Sequence, residues 1–236
     1  MAKGDNRRIR SGKINAPSLP DGNILLDIYK RLFDYFGPQG WWPAHNPFEV
    51  AVGTILTQNT AWRNVEKAIK NLKEEGLLNP SGVHRLSLEQ LASLIRPSGY
   101  YNVKANRLKA FLDLLFNDYK GDLDIMFSEE GSRLRERLLG VKGIGEETAD
   151  SMLLYAGGVP IFVVDSYTKR MLFMHKIISS ESDYREVQHI FMKGLPHDPQ
   201  LFNEYHALIV KVGKDFCKKK PLCERCPLSY LFSVDK

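Results

Sequence analysis

Apolar residues recur three and four positions apart along most of the 236-residue chain. Ile24, Leu25, Ile28, Leu32 and Phe36 form one such series, Phe48, Val52, Ile55 and Leu56 a second, and Leu108, Phe111, Leu112 and Leu115 a third. This is the spacing of one face of an α-helix, so these stretches predict amphipathic helices. Between them lie segments rich in proline, glycine and asparagine at 17–23, 36–47, 79–82 and 96–99, residues that start or stop helices. Only 157–165, GGVPIFVVD, carries the β-branched run of a strand, and it is too short and solitary to build a sheet. Helices of about 10 to 15 residues joined by short loops predict an all-α fold.

With 43% hydrophobic and 26% charged residues the chain has the composition of a globular protein, which excludes disordered and collagen-like classes. No apolar run approaches the roughly 18 to 20 residues of a membrane-spanning helix, and the start, MAKGDNRRIR, lacks the apolar core of a secretory signal. A cytoplasmic protein with no membrane partner is expected. Cys217, Cys223 and Cys226 lie within ten residues of one another, which suggests a metal site and not a disulfide framework. The net charge of +5 is concentrated in two places. Residues 1–20 carry Lys3, Arg7, Arg8, Arg10 and Lys13 against Asp5, and residues 211–226 carry six cations against Asp215 and Glu224. Each patch is +4 on a body that is otherwise −3, the distribution of a phosphate-backbone binder or of a solvated tail.

The most informative segment runs from the helical pattern at Leu134 to Leu139 into Gly140-Val141-Lys142-Gly143-Ile144-Gly145 and on into a second helix from Glu146. Glycines at 143 and 145 are expected to take positive φ and to bring the backbone close to another surface. The free N–H groups of the next helix, with Lys142 beside them, would then face an anion such as a DNA phosphate. Ile144 should tuck inward and pin the hairpin. Glu146 and Glu147 suit the helix dipole but would repel a phosphate unless turned away. About 20 residues on, the apolar run Phe162-Val163-Val164 delivers Asp165 to the start of another helix, either as its N-cap or as a carboxylate for chemistry.

Hairpin, second helix and Val-Asp in this order resemble the helix-hairpin-helix DNA glycosylases of the endonuclease III family. The resemblance implies that Asp165 assists departure of a damaged base, by activating water or by stabilising the cationic sugar. Members of the family that are also lyases carry a Schiff-base lysine at the position of Glu147. A carboxylate cannot form an imine, so a monofunctional glycosylase of base excision repair is expected, without lyase activity and with water as the nucleophile.

All three tryptophans, Trp41, Trp42 and Trp62, lie between residues 41 and 62. Chemistry on a base requires flipping it out of the duplex, and aromatic rings stack against it in the receiving pocket. Trp41-Trp42-Pro43, Leu56 to Thr60 (LTQNT) and the hairpin together resemble the 3-methyladenine DNA glycosylase III branch of the family. This implies a pocket of Trp41, Trp42, Pro43 and Trp62 for an alkylated, cationic purine, which electron-rich indoles favour. It also implies that Gln58 enters the duplex to fill the gap. The competing expectations are a pocket for an oxidised pyrimidine or mismatched base, or a non-catalytic DNA-binding module.

The resemblance covers roughly residues 25–232 and implies two helical lobes with a DNA-binding cleft between them. One would be a six-helix barrel at 42–155 carrying the hairpin, the other a lobe from 21–41 with 156–216, flanked by a basic flexible tail at 1–20 and a cysteine loop at 217–232. A monomer on double-stranded DNA is implied. Cys217, Cys223 and Cys226 resemble three of the four ligands of the family's [4Fe–4S] loop, but the fourth position is Phe232, which leaves the cluster open. The chemistry itself requires no cofactor. A Cys₃His zinc site is disfavoured because His206 stands 11 residues upstream.

Overall fold

The computed structural model describes residues 22–44, 46–218 and 220–232, and among these it is helical with no strand. The basic segment 1–20 and Lys219 lie outside the described residues. The helices are α1 (Gly22–Phe36), α2 (Pro47–Thr57), α3 (Trp62–Glu74), α4 (Pro80–Arg85), α5 (Leu88–Leu94) and α6 (Tyr101–Tyr119), followed by α7 (Leu123–Phe127), α8 (Gly131–Gly140), α9 (Glu146–Tyr155), α10 (Ser166–Met174), α11 (Tyr184–Gly194) and α12 (Pro199–Asp215). Short 3-10 turns occur at Arg96–Ser98, Cys223–Arg225 and Ser229–Phe232. Local chemistry sets many of the ends. Asn46 and Asn79 cap helices whose first residue is proline, where the missing N–H costs nothing, and Ser87 and Asp183 close capping boxes.

Two apolar cores form. The first gathers residues from Phe48 to Leu153, in helices α2 to α9. The second joins Leu25, Ile28 and Leu32 of α1 to residues from Leu154 to Leu228. A buried carboxylate ties them together. Asp150 of α9, 0% exposed, accepts from Arg135 Nε at 2.6 Å and Nη2 at 3.0 Å within the first core's helices, and from Tyr184 Oη at 2.8 Å and Gln188 Nε2 at 2.7 Å on α11.

The run at 157–165 has the β-branched composition of a strand but pairs with no neighbour. Phe162, Val163 and Val164 are buried, and side chains occupy their backbone in place of a ladder. Gln188 Nε2 donates to the Phe162 carbonyl at 2.7 Å, His206 Nδ1 to the Val163 carbonyl at 3.0 Å, and the Val164 N–H reaches Tyr184 Oη at 3.4 Å. An extended segment held from both sides is what places Asp165.

Candidate active site

Asp165 ends this segment and caps α10. Its Oδ1 accepts from the Thr168 N–H at 2.7 Å and from Thr168 Oγ1 at 2.9 Å. Its Oδ2 is left facing a cleft cavity of about 770 Å³, with His206 Nε2 at 3.9 Å. Capping and chemistry are therefore compatible, because the cap fixes one oxygen and frees the other. Since a carbonyl can only accept, His206 bears its proton on Nδ1, and in the neutral ring Nε2 presents a lone pair towards Asp165.

Aromatic residues wall the cavity. Trp42 lies edge-on to Trp62 at 4.9 Å and to Trp41 at 5.3 Å, and stacks on Tyr155 at 5.4 Å. The flat indole of Trp42 lies against α2 at Gly53, where a Cβ would come within 3.0 Å of it. The Trp42 N–H is buried without a hydrogen-bond partner among the described residues, and the buried Trp41 N–H and Tyr155 hydroxyl lie close enough to interact with each other. A buried donor without a partner in the wall of an aromatic pocket is a group that an occupant can satisfy. Pro43, expected on this wall, is exposed and lies outside the cavity lining. Of Trp41-Trp42-Pro43, the two tryptophans line the cavity.

Glu147 lines the same cavity and is exposed to its solvent. Burial, together with the charge of Asp165, pushes its carboxyl up to about 7. Glu146 turns the other way, to Arg185 Nε at 2.6 Å and Arg135 Nη2 at 3.7 Å. Both acids thus leave the hairpin surface. Ile144 is buried in the first core, while Lys142, Gly143 and Gly145 are exposed. Only Gly143 has positive φ, at +89°; Gly145 is extended at φ −98°, ψ −179°, contrary to the expectation for both. Its role as N-cap is to contribute no side chain, which leaves the first N–H groups of α9 open to an anion.

The sequence model of the HhH-GPD superfamily of base excision DNA repair proteins matches residues 52–197, which spans the hairpin, Asp165 and the α2 wall of the cavity. The chain belongs to that superfamily. It is a DNA glycosylase of base excision repair. A Methanocaldococcus jannaschii protein assigned to the DNA repair glycosylases is 47% identical over 206 residues, 87% of this chain and 94% of its own. The crystal structure of Helicobacter pylori 3-methyladenine DNA glycosylase bound to 1,N6-ethenoadenine is similar with a TM-score of 0.71 and 32% identity, over 82% of this chain and 97% of that one. A trapped endonuclease III–DNA covalent intermediate gives 0.75 and 25%, over 89% and 94%.

In this glycosylase Gln58 stands at the cavity mouth at the end of α2. Its Nε2 donates to the Gly143 carbonyl at 3.1 Å and to Thr148 Oγ1 at 2.9 Å, and its Oε1 accepts from Arg107 Nη1. The Arg107 stem packs on Gly143, where a Cβ would approach it to 2.6 Å. Gln58 is thus stored against the hairpin, and entering a duplex would mean exchanging these bonds. Arg63 and Lys214 are exposed at the cavity rim, so cations ring an opening whose interior holds two carboxylates. No helix among the described residues is long and apolar enough to cross a membrane.

The cysteine loop does not furnish four thiolates. Cys217 and Cys226 are buried and Cys223 half-buried, and burial pushes the Cys217 thiol up to about 11. Among the described residues no three His, Cys, Asp or Glu side chains come together as a metal site. Three cysteines do not fit a four-thiolate cluster. Packing also holds the loop: Cys226 and Leu228 enter the second core, Tyr230 hydrogen-bonds Asp27, and Arg31 lies 3.9 Å over the Tyr230 ring.

Sequence reasoning did not find His206 as a neighbour of Asp165, Tyr155 as a pocket wall, Arg107 as the brace of the hairpin, or Lys104 behind the α2–α3 loop. None stands in a local pattern that marks it.

Proposed function

We propose that this glycosylase is monofunctional and removes an alkylated, positively charged purine such as 3-methyladenine from double-stranded DNA, with water as the nucleophile and Asp165 as its base or as partner of the developing sugar cation. The observation that carries the reading is the joint placement of Asp165 and Glu147 in a cavity walled by Trp41, Trp42, Trp62 and Tyr155. A cationic base gains about 0.5–2 kcal/mol from an indole face, and two acids in the same cavity add attraction that a neutral base does not receive. Glu147 occupies the position of the family's lyase lysine and has no amine to offer the sugar. The likeness to the H. pylori enzyme bound to 1,N6-ethenoadenine supports a modified purine as the occupant.

Chemistry follows from the two oxygens of Asp165. Oδ1 stays with Thr168, so the carboxylate cannot swing away, and Oδ2 accepts a proton from water or faces the oxocarbenium-like sugar as the base departs. The test is a panel of labelled duplexes containing 3-methyladenine, thymine glycol, 8-oxoguanine or a G:T mismatch, read with and without alkali. Cleavage of the methylated duplex only after alkali is expected, with no DNA adduct trapped by borohydride. Strand cleavage without alkali would overturn the monofunctional reading, and release of thymine glycol in preference would overturn the substrate. Asp165→Asn keeps a cap acceptor and is expected to lose about 10²-fold or more in rate.

A further inference from the structure

Lys104 of α6 is only 1% exposed, yet its three partners are neutral oxygens and no carboxylate pairs with it among the described residues. Its Nζ donates to the Leu56 carbonyl at 2.7 Å, to Thr60 Oγ1 at 2.6 Å and to the Ser98 carbonyl at 2.7 Å. These atoms belong to the last turn of α2, the loop that follows it and the 3-10 turn before α6. Thr60 Oγ1 in turn donates to the same Ser98 carbonyl at 2.6 Å. Between the gripped residues lie Gln58 and the exposed Asn59, whose φ of +53° is the left-handed turn conformation that asparagine tolerates well.

We infer that Lys104 is the positioning residue of the loop that enters DNA: its three hydrogen bonds hold Leu56 to Thr60 in the shape that presents Gln58 and Asn59 to the gap left by a flipped base. This rests on the reading of that loop as the inserting element. An ammonium has three N–H donors and matches three acceptors, whereas a neutral amine has two. Deprotonation therefore releases one of the three contacts. Burial, with a lesser contribution from the charge of Arg107 on the same helix, lowers the Lys104 ammonium to about 8, within reach of titration. Leu56, Thr60 and Ser98 present only carbonyls and a hydroxyl to it, so Arg107 is the charged group acting on it.

The test uses the full chain and a duplex with a tetrahydrofuran abasic analogue opposite 2-aminopurine, whose fluorescence changes when a side chain enters the gap. Lys104→Met is expected to bind this duplex about tenfold more weakly and to lose the fluorescence change, with affinity for undamaged duplex kept within about twofold. Unchanged signal and affinity in Lys104→Met, or an equal loss on undamaged duplex, overturns the proposal. Should the variant not fold, wild-type protein carries the test: the fluorescence change, normalised to undamaged-duplex binding, is expected to fall as pH rises through about 8. A flat response up to about pH 10, where an ordinary lysine titrates, overturns it. Gln58→Ala separates the two levels. A lost signal there with unaltered Lys104→Met removes only the role of Lys104, whereas a retained signal in Gln58→Ala removes the inserting role of the loop and the proposal with it.

Discussion

His206 Nε2 lies 3.9 Å from Asp165 Oδ2 while His206 Nδ1 is committed to the Val163 carbonyl at 3.0 Å. The ring thus supports the carboxylate through the backbone that carries it, while its other nitrogen lies beside the free oxygen without a hydrogen bond to it. His206→Leu removes this support, and base release is expected to fall about tenfold with DNA affinity unchanged. Single-turnover kinetics beside a binding titration check this, and an equal loss in both would assign His206 to binding instead.

Glu147 supplies a pH dependence whose sign is fixed. The folded protein holds this proton longer than the unfolded chain, because the carboxyl moves from 4.5 to about 7. Stability therefore falls as pH rises between these values and levels off above them. Glu147→Gln should lack that slope, and thermal melts of both proteins from pH 4.5 to 8 measure the difference. Ionisation of Glu147 should also strengthen binding of a cationic base above about pH 7 in wild type only.

Gly53 tests whether the position of Trp42 matters. In the middle of α2, Gly53→Ala gains up to about 1 kcal/mol of helix propensity. The added Cβ, 3.0 Å from Trp42 Cζ2, pushes the indole into the cavity. We expect a melting temperature at or above wild type with base release reduced about tenfold. Unchanged kinetics would show that the ring has room to yield.

Asp150→Asn breaks the carboxylate that joins the two cores. Arg135 loses its nearer charge partner and keeps Glu146 at 3.7 Å, at a cost of about 2 kcal/mol. The one remaining amide oxygen can serve either Arg135 or the pair Tyr184 and Gln188, which also hold 162–164, and the amide NH2 then faces donors on the other side. A lower melting temperature together with slower base release is expected. Destabilisation without any kinetic effect would separate this network from the placement of Asp165.

The sequence by itself determined the features that are written locally. The helical period set most of the elements, the Gly140 to Gly145 punctuation set the hairpin, and an apolar run ending in Asp165 set the capped start of α10. Glu147 was legible as a carboxylate where the family's lyases have lysine, and the tryptophans as pocket candidates. Each depends on residues a few positions apart, so periodicity, caps and turns register it. Tertiary structure alone decided the rest. It sent Pro43 outward, gave positive φ to Gly143 but not Gly145, and satisfied the strand-like run at 162–164 with side chains instead of a sheet. It brought Lys104 to Leu56 across 48 positions, His206 to Val163 across 43 and Asp150 to Gln188 across 38. Hydrogen bonds and electrostatic shifts act over a few ångströms of space, so their partners are fixed only once the two cores have packed.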